Sequence, residues 1–265
     1  MNNINKSIAA AVIAVAGMGS ASHAATVDTV LSLVIDVSGS ISPGEYNLQM
    51  DGYANAFRNG SVQTGILDMS NIGDTGSIAV NVVQFGTSAV EALGFRILDS
   101  FAAIDAFANE LDNLGRNNGS GSSTNIADGI SLGTSTITSW LGTAGNAAAR
   151  AVIDVSGDGT QNVNGFSVTG ARDAACNGGI DAVNGVTIGS SSSLPTYFAD
   201  NVQCGTDSFT LAAIDFNTFE NVVTTKLRAE ITGVNPVPVP ASALLLLTGI
   251  GGVAALKRRK KKSAS

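Results

Sequence analysis

Apolar, β-branched runs alternate along the chain with stretches whose apolar residues recur at helical spacing. The runs at 29–37, 77–85, 150–155 and 180–188 are continuous rather than alternating, the pattern of strands covered on both faces of a parallel sheet. Between and after them, 43–58, 101–114, 125–140 and 168–177 read as helices, the first with Ser42 as its cap and Pro43 at its first position. Residues 90–98 follow 77–85 so closely that they read as an antiparallel edge strand, joined through a tight turn at Gly86-Thr87. A last strand at 208–214 and an amphipathic helix at 216–231, with Phe219, Val222, Val223 and Leu227 on its apolar side, close the pattern. The expected fold class is α/β: a Rossmann-like, doubly wound, mostly parallel sheet with one antiparallel edge strand and helices on both faces. The polar stretches 117–123 and 190–193 read as loops, and no repeat of fixed period interrupts the single domain.

Both ends depart from this pattern. At the start, Lys6 precedes an apolar run at 8–18, and small residues lead to Ser22-His23-Ala24, which predicts a signal peptide over 1–24 cut after Ala24 in preference to a buried first helix. The fold then occupies 25–235. At the other end, Val237-Pro238-Val239-Pro240 leads into an apolar stretch at 241–256 and six basic residues at 257–262. As a helix that stretch reaches roughly 24 Å, a little short of the roughly 30 Å hydrocarbon core, so it could span a membrane only marginally, with its basic end inside and the domain outside. The tail over 236–265 resembles the PEP-CTERM sorting signal of Gram-negative bacteria, with Val239 where the family's name has Glu. The resemblance implies recognition by a membrane exosortase and at least transient contact with the membrane. A plain C-terminal anchor is the other reading, and it leaves the domain on the same side.

Setting the ends aside changes the charge balance. They hold seven of the 14 basic residues and none of the 21 acids, so the domain is strongly acidic, repels nucleic acid and attracts cations. Two cysteines, Cys176 and Cys204, remain in a chain read as exported; a Cys176–Cys204 disulfide and two buried thiols are the competing readings. A zinc site is disfavoured, because His23, the one histidine, leaves with the signal peptide.

Candidate chemistry gathers where strands end. After the first strand the sequence reads Asp36-Val37-Ser38-Gly39-Ser40, a carboxylate and two hydroxyls at two-residue spacing. Such hard oxygen donors suit Mg²⁺, with Ca²⁺ or Mn²⁺ as alternatives. Alone the string is weak, since Ser and Asp also serve turns and caps. Two more segments strengthen it: Thr124 stands just before a helix, and the strand at 151–155 runs into Ser156-Gly157-Asp158-Gly159. These three loops resemble the metal-ion-dependent adhesion site (MIDAS) of von Willebrand factor A domains. The likeness is closer to a bacterial subfamily of unknown function, through Val34 to Ser40, Glu45-Tyr46, Gln49, Val152 to Gly159, and Ala171 to Ala175. It implies that Asp36, Ser38, Ser40, Thr124 and Asp158 hold a divalent ion, and that the ion coordinates an acidic group of an extracellular, envelope or matrix ligand.

Other residues allow plainer roles. Asp154 suits a structural hydrogen bond in the core or a place behind the metal ligands, Asp128 a solvated helix position, and Asn125 and Asn162 the rim of the same face. Serine nucleophile chemistry lacks a base in the mature chain, and neither a Gly-x-Ser-x-Gly elbow nor a phosphate loop is present. The expected function is therefore a surface binding module rather than an enzyme; a metal-dependent hydrolase and a structural surface protein with a vestigial site are the alternatives.

Overall fold

The computed structural model describes residues 25–70, 74–117, 121–234 and 236. Both the leader at 1–24 and the apolar stretch at 241–256 lie outside them; among the described residues no helix is long and apolar enough to cross a membrane.

Seven strands form one sheet: β1 (Thr26–Asp36), β2 (Ile78–Phe85), β3 (Ala89–Leu98), β4 (Ala147–Gly157), β5 (Ala182–Ile188), β6 (Cys204–Gly205) and β7 (Thr210–Ala213). The order is β3-β2-β1-β4-β5-β6, with β7 also pairing to β5. β1 pairs in parallel with both β2 and β4, β4 with β5, and β5 with β7, while β3 and β6 run antiparallel. The expected doubly wound sheet is present, with two corrections. The two-residue β6 adds a second antiparallel strand, and the last strand is shorter than 208–214 because only four residues follow the register of β5.

The continuous apolar runs have their cause in the helices on each face. β1 sends Leu31, Leu33 and Ile35 into one core, completed by Tyr53 and Phe57 of α1 (Pro43–Arg58), Phe107 of α3 (Phe101–Asp112) and Val223 of α7 (Phe219–Thr232). It sends Val30 and Val34 into the other, completed by Ile130 of α4 (Ile126–Leu141), Ala175 of α5 (Val168–Asn177) and Phe198 of α6 (Ser193–Asn201). Ser42 closes a capping box with Glu45 at the start of α1, satisfying donors that a helix leaves free. α3 ends at Asp112 rather than 114, since the chain turns there to present Leu114 and Gly115 to hydrogen bonds from Tyr46 and Gln84.

Two helices have no counterpart in the periodicity. α2 (Gly60–Ile66) is short and buries only Val62 and Ile66; α6 begins inside the serine stretch read as a loop. The apolar anchors of α6, Leu194 and Phe198, stand at helical spacing but are too few to announce a helix.

Cys176 of α5 and Cys204 of β6 are joined by a disulfide with a Cα–Cα separation of 6.5 Å. It fastens the short edge strand to the helix behind it. With the two cysteines 28 positions apart in sequence, loop-closure entropy sets its effect: Cys176→Ser with Cys204→Ser should lower unfolding stability by about 2–4 kcal/mol, read as a lower denaturant midpoint than that of the oxidised parent.

Candidate metal centre

β1 is the point at which the winding of the sheet reverses: the chain passes from it to β2 on one side and reaches β4 on the other. The loops after β1 and β4 therefore diverge from neighbouring strand ends and leave a crevice between them. Asp36 ends β1 and lies fully buried. Its Oδ1 accepts from the Ser38 backbone N–H at 2.8 Å, while its Oδ2 is buried without a hydrogen-bond partner among the described residues. Gly157, the last residue of β4, lies against that oxygen; a Cβ there would come within 3.1 Å of Oδ2 and would need the carboxylate to shift.

From Asp36 a chain of oxygens leads outward. Thr124, 4% exposed just ahead of α4, donates to Ser38 Oγ at 3.1 Å. The Ser38 and Ser40 hydroxyls are 3.1 Å apart, and Ser40 donates to Asp158 Oδ1 at 2.7 Å. The five residues singled out in the sequence thus meet at one rim, Asp36, Ser38 and Thr124 buried, Asp158 half-buried and Ser40 exposed.

Burial pushes the Asp36 carboxyl up to about 7; the Ser38 hydrogen bonds oppose this, and the negative Asp158 adds to it. Burial also raises Asp158. Two carboxylates facing each other with an unsatisfied oxygen form a site short of positive charge. The residues fit a small, hard divalent cation: two carboxylates balance its charge, three hydroxyls supply neutral oxygens, and the orphaned Oδ2 of Asp36 has a ligand to find. Among the described residues no three His, Cys, Asp or Glu side chains gather to hold an ion, so at this rim hydroxyls would have to complete the pair of carboxylates.

Several groups that fix this rim were not evident from the pattern. Arg116, which follows α3, donates to the Val37 and Ser38 carbonyls at 2.6 Å each and to the Ile41 carbonyl at 2.7 Å. Its segment is held in turn, since Tyr46 donates to the Leu114 carbonyl, Gln84 donates to Tyr46 Oη, and the Asn117 N–H donates to Gln84 Oε1. No periodicity signals such a contact, because it joins residues far apart in sequence through backbone carbonyls.

Asn162 accepts from the Thr124 N–H at 2.8 Å and donates its own N–H to the Thr124 carbonyl, so it ties the second and third loops. Asn125 is fully buried as the cap of α4 and accepts from Gln161. These two asparagines brace the loops rather than line an open face. One further expectation is corrected: Asp128 is half-buried rather than freely solvated, since it accepts the Ala89 N–H at 2.7 Å and anchors the β2–β3 turn. Asp154 has the structural role in the core that is one of its two readings, ion-paired to Lys226 four residues before Asp158.

Arg116→Ala should free three carbonyls of the first loop and cost about 2 kcal/mol of stability. Hydrogen exchange should show amides at 37–41 losing protection while those of β4 keep it.

Solved structures share this architecture. Proximal thread matrix protein 1 of the mussel byssus, with a zinc-occupied MIDAS motif, superposes with a TM-score of 0.57 at 16% identity over 78% of this chain and 48% of that one. The pilus adhesin SpaC of Lactobacillus rhamnosus GG gives 0.55 at 13% identity, over 78% of this chain and 31% of that one. The PilB minor pilin of Streptococcus sanguinis gives 0.50 at 15%, over 79% and 62%. This chain thus spans about half of the mussel protein and about a third of SpaC. At such identities the likeness establishes a shared von Willebrand factor A-like fold. No curated protein matches the sequence. The model of one family does match, over residues 26–235, and the chain belongs to that family, described as a protein of unknown function (DUF1194).

Proposed function

We propose that this domain is an exported binding module that captures an acidic group of an extracellular, envelope or matrix ligand through a divalent ion held at the rim. Asp36, Ser38, Ser40, Thr124 and Asp158 would hold the ion, with Mg²⁺ the best match to hard, neutral oxygens and Ca²⁺ or Mn²⁺ close behind. When bound, the ion supplies an electrophilic centre whose remaining coordination is open to a carboxylate. The observation that carries this reading is the buried, unpartnered Oδ2 of Asp36 at the inner end of a continuous chain of hydroxyls that reaches solvent at Ser40 and Asp158. The named MIDAS of the mussel protein, on the same fold, supports it.

The chain's own residues do three things in this reading. Asp36 anchors the charge from below and Asp158 from the outer edge. The hydroxyls of Ser38, Ser40 and Thr124 set spacing without adding negative charge, so the ion stays attractive to an incoming acid. Arg116 and Asn162 hold the loops in place before the ligand arrives, which reduces the ordering cost of binding.

Export follows from the leader at 1–24, and the disulfide fits an oxidising compartment. The tail at 236–265 would then deliver the domain to an exosortase at the membrane of a Gram-negative bacterium and leave it outside the cytoplasm.

A Mg²⁺-against-EDTA pull-down from envelope and matrix extract tests the reading. Partners retained by the wild-type domain with Mg²⁺ should be lost with EDTA and with Asp36→Ala. Retention that is equal in all three arms overturns it.

Asp36 also fixes a pH dependence. Its carboxyl is raised from 3.8 to about 7, so in the metal-free fold its contribution to stability is complete below about pH 4 and is lost as pH rises through about 7. A divalent ion takes the place of that proton. Metal affinity, and the rise in melting temperature on adding Mg²⁺, should therefore grow across the same window. Calorimetric titration at pH 6 and pH 8 measures it, and Asp36→Asn should abolish the difference.

A further inference from the structure

Away from the rim, the side chains of Asp154 on β4 and of Lys226 and Glu230 on α7 meet with no exposure to solvent. Lys226 Nζ lies 2.6 Å from Asp154 Oδ1 and is also bonded to Glu230, one helical turn further on. Asn184 of β5 donates to Glu230 Oε1 at 2.9 Å. The Phe209 ring centroid sits 5.9 Å from Nζ, and Tyr53 of α1, fully buried, lies near enough to feel the charge of Asp154.

Two carboxylates and one ammonium, all out of water, are a costly way to join a helix to a sheet. Burial pushes both carboxyls up, Glu230 to about 7, with Lys226 opposing the rise in each. A proton can therefore settle on either carboxyl while the Lys226 nitrogen stays in contact with both. A nitrogen nucleophile is thus held against a carboxyl group, with a proton carrier touching the nitrogen and water excluded. Proximity of this kind replaces a bimolecular condensation by an intramolecular one.

We propose that Lys226 and Asp154 condense to an intramolecular amide, a self-made crosslink between β4 and α7, with Glu230 as the catalytic proton carrier. The Lys226 ammonium passes a proton to the Asp154 carboxylate, and the neutral amine attacks Cγ, forming the N–C bond. Glu230 carries a proton from the nitrogen to the departing oxygen, the C–O bond breaks, and one water leaves. Ammonium plus carboxylate becomes amide plus water; Glu230 ends as it began, and nothing is oxidised or reduced. Removing two buried charges and releasing water to solvent favours the product. The bond would brace the strand that leads into Asp158 against the helix that ends the domain.

Mass spectrometry of the reduced, denatured full chain, followed by tryptic mapping, tests this. The wild-type product should be lighter by one water, with the peptide holding Lys226 uncut at that residue and joined to the peptide holding Asp154. Asp154→Asn should give the same branched peptide with loss of ammonia instead. Glu230→Gln, checked for fold by circular dichroism, should form the bond about 100-fold more slowly. Separate wild-type peptides, with normal cleavage at Lys226, would overturn the proposal without recourse to any variant, and equal rates in Glu230→Gln would remove Glu230 from it.

Discussion

A carboxylate kept out of water at the end of a central strand is the constraint around which this domain is arranged. Asp36 can stay buried only because the Ser38 N–H and the positive field of Arg116 offset part of its desolvation. The remainder shows in a carboxyl pushed up to about 7 and an oxygen without a partner. A protein interior tolerates such a group where something outside the chain completes it. The hydrogen bonds at the rim hold hydroxyls in line from Thr124 through Ser38 and Ser40 to Asp158.

The rim is rigid for reasons that lie beneath it. β1 and β4 run side by side in register, with Ile35 opposite Ser156, so the two strand ends cannot drift apart without breaking the centre of the sheet. The Gln49 side chain reaches from α1 to Ser156 at 2.9 Å, and the Gly39 N–H reaches Ser122 across the loops at 2.7 Å. Binding sites built on such scaffolds lose little entropy when they engage a ligand.

A second polar cluster of different character lies deeper along β4, at Asp154. Where the rim is short of a cation, the Asp154–Lys226–Glu230 group holds one in the core between two carboxyls. One face of β4 thus carries Asp154 in the core and Ser156 under α1, and just past the strand's end the chain reaches Asp158 at the rim. The polar column runs through an otherwise apolar layer, and the price of burying it is justified by specific bonds at each level.

The sequence by itself determined the fold class and the places where chemistry would concentrate. Continuous β-branched runs can be satisfied only by a sheet covered on both faces, and helical periods between them supply the cover; strand ends rich in Asp, Ser and Gly mark the open edge. Asp36, Ser38, Ser40 and Asp158 stand at or just past strand ends and Thr124 just before a helix; the likeness to the adhesion site singled out these five among many Asp and Ser, and the structure brings them to one rim. What only the tertiary structure decided is how those boundaries are held. Arg116 acts through carbonyls of distant residues, Asn162 through the backbone of Thr124, and Asp128 through the turn beside Ala89. Lys226 and Glu230 occupy core positions of α7 that a reading by hydropathy assigns to the solvent side. Hydrophobic periodicity records which side chains avoid water. It carries no information on which polar groups will find one another once the sheet has brought them within hydrogen-bonding distance.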